Sequence, residues 1–328
     1  MLYLHELLPI EMIMMCDIAS FIDPIMIFFD ENEICANIWD LLSDNPMITT
    51  HLILKYKHQP WDWDSLSANR AVDLKFISDH PEFPWKYEYL SENANLTVDF
   101  VVKNLFENWN WYWVSQSKSI TMGDIDDNPF LRWNYKGISS NPNLTIEFVL
   151  EKLNKDWDWS CVSYNKGITM DDVYANYQIP WEPRRLVLNP NLTMTFILSG
   201  LIDLNNFTTL FRISKNKGIN ILDIETNPTF PWNYNGLSNN QNITLRFIMQ
   251  NTASLPNDSF EQWDWSSLSR NKGITLEDLN HYPNLPWCND QLTECGDYNL
   301  EFVLKNNPKR QFDHNSISVL RNGNIFVY

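Results

Sequence analysis

Apolar and polar positions recur together along this chain about every 24 residues, from near residue 37 almost to the C-terminus. Rows beginning at Trp61, Trp85, Trp109, Trp133, Trp157 and Trp181 align without a gap. The register resumes at Trp232, Trp263 and Trp287 after small insertions, giving eleven rows in all. A fixed period of this size marks a stacked repeat array rather than one conventional core.

The columns of the alignment predict the elements of a row. Position 2 is often Asp or Asn (Asp62, Asn110, Asp158, Asp264), side chains that cap helix N-termini. Positions 3 and 6 pair an aromatic with an aliphatic residue, as Trp159 with Val162, on one helical face. Position 9 is Asn in nine of the eleven rows. Asn tolerates the left-handed conformation that closes a helix, so it is expected to end a first helix of about two turns. Position 13 is Thr in eight rows and Asp73, Asn220 or Asn299 in the others, again capping types. Position 17 is Ile, Val or Leu in every row, and Pro often closes the row (Pro60, Pro84, Pro180). Each row therefore reads as helix–turn–helix, with helices too short to persist without stacking. The expected fold class is all-α, an α-solenoid of about eleven such repeats.

A 48-residue period overlies the shorter one. Position 16 is Phe in odd rows (Phe100, Phe148, Phe196, Phe247, Phe302) and Asp in even ones (Asp124, Asp172, Asp223, Asp278). Phe suits an inner environment and Asp an outer one. In Thr121-x-x-Asp124 and its equivalents the acid has the spacing of a capping box, which accounts for the acidic column without a binding site.

Residues 1–36 precede the register. Apolar residues crowd Leu7 to Ile18 and Phe21 to Phe29, which reads as a helical cap on the array at 37–311, with a second cap at 312–328. Leu8-Pro9-Ile10-Glu11 followed by Phe21-Ile22-Asp23-Pro24 also resembles the opening of an F-box, with a spacing about two residues longer. That resemblance implies docking on the Skp-type subunit of a cullin ubiquitin ligase through Leu8, Pro9, Glu11, Asp23 and Pro24.

Composition narrows the function classes. A net charge of −17 disfavours nucleic-acid backbones and anionic membrane surfaces, and favours a basic partner where there is one. All fifteen Trp residues keep the row register, so they read as core and not as a stacking platform. Five irregularly placed Cys residues suit a reducing compartment better than a disulfide framework or zinc site. The six His residues share no column, and no nucleotide-binding or nucleophile-elbow motif occurs, so neither an enzyme nor a cofactor is expected. The apolar N-terminus is interrupted by His5, Glu6, Glu11 and Asp17, unlike a signal peptide or membrane span.

Two insertions break the register, about three residues near Gly200 to Phe207 and about seven within Asn251 to Gln262. Both follow the second helix of an odd row and are expected on one face, either as tolerated slack or as a recognition edge. In the second case Leu201, Asp203, Phe207, Leu255, Asp258, Phe260 and Glu261 would contact a basic protein.

The PWDWxxLSxNxxIT pattern over 37–311 resembles the Trp- and Asn-rich tandem repeats of proteins from giant DNA viruses of the mimivirus group. The resemblance implies a viral protein in the host cytoplasm or the virion, and brings no catalytic residues. The expected function is a non-enzymatic protein-interaction scaffold. The alternatives are a ubiquitin-ligase adaptor and a virion structural component.

Overall fold

A computed structural model describes residues 35–252, 262–288 and 291–292. The expected caps fall almost wholly outside them. Every described element is helical, twenty helices following one another in pairs, most of them four to six residues long. The described residues form two compact units, one ending at Asp158 and the other beginning at Trp159. Each is a stretch of α-solenoid built from the same row.

The row is helix–turn–helix as its columns require. Asp62 accepts from the amides of Asp64 and Ser65 to start the helix Trp63–Ala68, and Asp264 does the same for Trp265–Ser269. Position 13 opens the second helix, as Thr97 accepting from the Phe100 amide or Asp73 from that of Phe76. In all four even rows with Asp at position 16 the capping box is complete, with Thr121–Asp124, Thr169–Asp172, Asn220–Asp223 and Thr275–Asp278 exchanging bonds. Positions 6, 12 and 17 form the core. In row three Leu90, Leu96 and Val101 are all 0% exposed.

Position 9 is where local propensity misleads. No non-glycine residue has positive φ among the described residues, and Asn69 and Asn216 are extended at the helix end. The Asn side chain is instead buried and bridges rows. Asn93 donates through Nδ2 to the carbonyls of Ser67 (3.0 Å), Asn69 (3.1 Å) and Val72 (3.1 Å) in the preceding row. Its Oδ1 accepts from the Asn95 amide at 2.9 Å. Asn141, Asn189 and Asn240 repeat the pattern. A carboxamide offers both donors and an acceptor at one point, which suits a buried turn whose carbonyls have acceptor capacity left over. In row four Ser117 replaces the Asn, and the Ser119 hydroxyl bonds the Leu96 carbonyl of row three.

Two further columns tie consecutive rows. Ser occupies position 7 in nine rows. The Ser91 hydroxyl donates to the Tyr87 carbonyl (2.9 Å) and accepts the Asn110 amide of the next row (3.0 Å). The position-1 Trp closes the preceding second helix, its Nε1 donating to the carbonyl five residues back, as Trp109 to Asn104 at 2.8 Å.

The 48-residue period has two structural causes. Phe at position 16 lies edge-on to the next Trp (Phe100 with Trp109 at 6.2 Å, Phe148 with Trp157 at 6.3 Å). Those tryptophans are 6% and 5% exposed. After an Asp row the next Trp is half-buried, as at Trp133, Trp181, Trp232 and Trp287. The second cause is where neighbouring rows pinch. A Cβ on Gly236, position 5 of an odd row, would lie 2.6 Å from the Phe211 carbonyl oxygen. One on Gly218, position 11 of an even row, would lie 2.5 Å from that of Leu192. Rows thus close alternately at the first helices and at the turns. Where the turns stand apart, Asn at position 11 spans the gap, as Asn242 Nδ2 to the carbonyls of Lys217 (2.9 Å) and Ile219 (2.8 Å).

Candidate interaction surface

Side chains consumed by stacking leave a surface that is legible column by column. Position 17 of the second helix is buried, position 18 beside it is turned to solvent, and position 21 follows just past the helix end. In the first unit positions 18 and 21 carry Val102, Leu105, Leu150 and Leu153, all exposed, with Phe106 and Phe130 following them at position 22. In the second they carry Tyr174 (65% exposed), Tyr177 (81%), Leu198 (58%) and Leu201 (52%).

The insertion in row seven follows directly on Leu198. Gly200, with φ +84°, turns the chain out of the helix Met194–Leu198, a conformation a side chain would strain. Ile202 anchors the turn at 5% exposure, and the exposed Asp203 accepts the Asn205 amide at 3.0 Å. Phe207 is 72% exposed, but it does not lie in a loop. It is the first residue of Phe207–Lys215, a nine-residue helix capped by Asn206, so part of the insertion became an extra helical turn. That new cap replaces the usual one, which fits the loss of the position-7 Ser at Val187.

Leu201, Asp203 and Phe207 are thus all exposed, the first two between the helices Met194–Leu198 and Phe207–Lys215 and the third at the start of the latter. Leu255, Asp258, Phe260 and Glu261 lie outside the described residues, as do Leu8, Pro9, Glu11, Asp23 and Pro24. The insertions do not point to Tyr174, Tyr177 and Leu198. Their signal was present as apolar residues in columns that the buried stripe does not use.

A cavity of about 860 Å³ opens between the second helices of rows two and three, lined in part by Lys75, Phe83, Trp85, Tyr87, Asp99 and Lys103. Row two is the even row with Phe76 in place of Asp, and Phe76, His80 and Phe83 cluster beside Trp85. Burial of the Tyr87 ring, and after it the Glu107 carboxylate, raises the phenol above its usual range. The lining holds two lysines and the acids Asp99 and Glu107, and Lys75 is paired with Asp79. The cleft is thus close to electrically neutral.

Asn95, Asn143 and Asn191, each in an Asn-x-Thr sequence, are position-11 bridges like Asn242, their Nδ2 atoms bonded to the preceding row. Among the described residues no helix is long and apolar enough to cross a membrane. Compared with models of protein families, with curated proteins and with solved structures, the chain finds no match in any of the three.

Proposed function

We propose that the chain is a non-enzymatic protein-interaction scaffold. The observation that supports this most is the recurrence of exposed large apolar side chains at positions 18 and 21 of successive rows. Single exposed apolar residues are ordinary, but aligned columns of them form the contiguous patches that mark interaction sites. The polar side chains at positions 7, 9 and 11 are engaged in row-to-row bonds, whereas position 18 of the second helices takes no part in them and is open to a partner.

Affinity capture of the full chain with cross-linking tests this reading. Cross-links from a captured protein to the second-helix faces support it. Absence of any protein partner in host cells and in purified virus particles would overturn it. The same experiment separates the other two roles. Recovery of a Skp-type ligase subunit, lost when Leu8 and Pro9 are made charged, would assign an adaptor. Stoichiometric incorporation into particles would assign a structural component.

A further inference from the structure

We infer that the second-helix edge of rows six to eight, residues 169–231, docks a basic protein segment carrying apolar anchors. The inference rests on the scaffold reading and specifies its face and partner chemistry. Tyr174 and Leu198 stand at position 18 of adjacent rows, and Tyr177 and Leu201 at position 21. The rows are held in register by Asn189, which bonds the carbonyls of Ser163 (3.0 Å), Asn165 (3.1 Å) and Ile168 (3.1 Å). Asn216 locks row eight in the same way, to Val187 (2.9 Å) and Asn189 (2.8 Å). The four exposed side chains thus stand at two matching positions of stacked rows, and Leu222 (65% exposed) at position 15 of row eight and Phe207 add to them. Six large residues at these exposures present on the order of 700 Å² of surface. That is more than a monomer usually leaves uncovered, and close to one side of a standard interface.

Charge selects the occupant. The stretches 169–180, 193–207 and 220–231 hold Asp171, Asp172, Asp203, Asp223 and Glu225, and no Lys, Arg or His. Asp172 and Asp223 are used in capping boxes. Asp171, Asp203 and Glu225 are exposed and have no ion-pair partner among the described residues. The bases of these rows, Lys166, Arg184, Arg185, Arg212, Lys215 and Lys217, all belong to first helices or to the turns after them. Exposed apolar side chains in stretches that carry only acidic charge repel a second copy of the same surface, nucleic acid and anionic lipid. They attract Lys or Arg flanking an apolar anchor.

The test uses the full chain and a fluorescent 16-residue peptide alternating Lys and Arg with Leu and Phe, beside versions with the bases changed to Gln or to Glu. Anisotropy is read at low and moderate salt. The basic peptide is expected to bind best, and salt to weaken it. Asp203→Lys with Glu225→Lys, and separately Tyr177→Ser with Leu198→Ser, should each weaken it tenfold or more. Asp99→Lys with Glu107→Lys makes the same net-charge change in the other unit and should have under a threefold effect. All these side chains lie at the surface, so circular dichroism should be unchanged in each variant. Equal losses from both charge pairs would show non-specific attraction and overturn the inference. So would equal binding of the Gln peptide, or a dimer in light scattering that Tyr177→Ser dissolves. A natural partner cross-linked only to another face would leave the scaffold reading standing and overturn this one.

Discussion

Asn93→Ala tests whether the buried amide column, and not hydrophobic stacking alone, holds neighbouring rows together. Asn93 is 1% exposed and spends both amide hydrogens on row two. After truncation the Asn69 carbonyl keeps the Val72 amide at 3.1 Å, and the Val72 carbonyl keeps the Asn95 side chain at 3.3 Å. The Ser67 carbonyl and the Asn95 amide lose the carboxamide with nothing comparable to replace it. Each such loss costs roughly 1–3 kcal/mol, so the expected destabilisation is about 3 kcal/mol. Asn95→Ala, which removes a bridge at the exposed rim, should cost about 1 kcal/mol.

Asn93→Asp adds a pH signature. The isosteric carboxylate would face three carbonyls in a buried site, which raises its folded pKa above the unfolded value of about 3.9. The folded state then holds the proton more tightly, so stability is greatest below about pH 4 and falls as pH rises through the folded value. The assay is urea unfolding at several pH values, with hydrogen exchange reading rows two and three separately, because a repeat array opens locally. A cost below about 0.5 kcal/mol for Asn93→Ala, the range of an ordinary surface change, would refute the argument. So would a flat pH response of Asn93→Asp.

Two other comparisons probe the remaining columns. Trp157 is 5% exposed and edge-on to Tyr135 and Phe148, so Trp157→Ala should cost roughly 3–5 kcal/mol. Thr169→Ala removes a cap, about 1 kcal/mol, and equal unfolding midpoints would refute the core role of position 1. Gly218→Ala drives a Cβ into the backbone oxygens of Leu192 and Pro190, at 2.5 and 2.8 Å, and should loosen rows seven and eight. Gly123→Ala, with only Thr121 Oγ1 at 3.7 Å, should instead stabilise by about 0.5–1 kcal/mol, both read by thermal melting.

The helices were legible because their determinants are local. A Thr, an apolar residue four positions on and a closing Pro are read within one row, and the capping boxes followed from spacing alone. The Asn column was misread because its partners lie some 21 to 26 residues away in sequence. Asn has an intrinsic preference for left-handed turns, and in a single row that was the only role on offer. The buried position-7 Ser was passed over for the same reason, since its second bond goes to the next row. The Gly residues at positions 5 and 11 marked where neighbouring rows approach closely, but a glycine has no side chain to announce what approaches it.

What distinguishes the outward face is its freedom. Positions 7, 9, 12 and 17 repeat almost unchanged because each must meet a partner in an adjoining row. Position 18 runs through Leu54, Ser78, Val102, Asp126, Leu150, Tyr174, Leu198 and Glu225. The stack is indifferent to these side chains, and a surface under no constraint but solubility would be polar in most rows. Five of those eight are large or apolar, at an energetic disadvantage in water that stacking does not offset. On the scaffold reading proposed above, a partner that covers them would offset that cost.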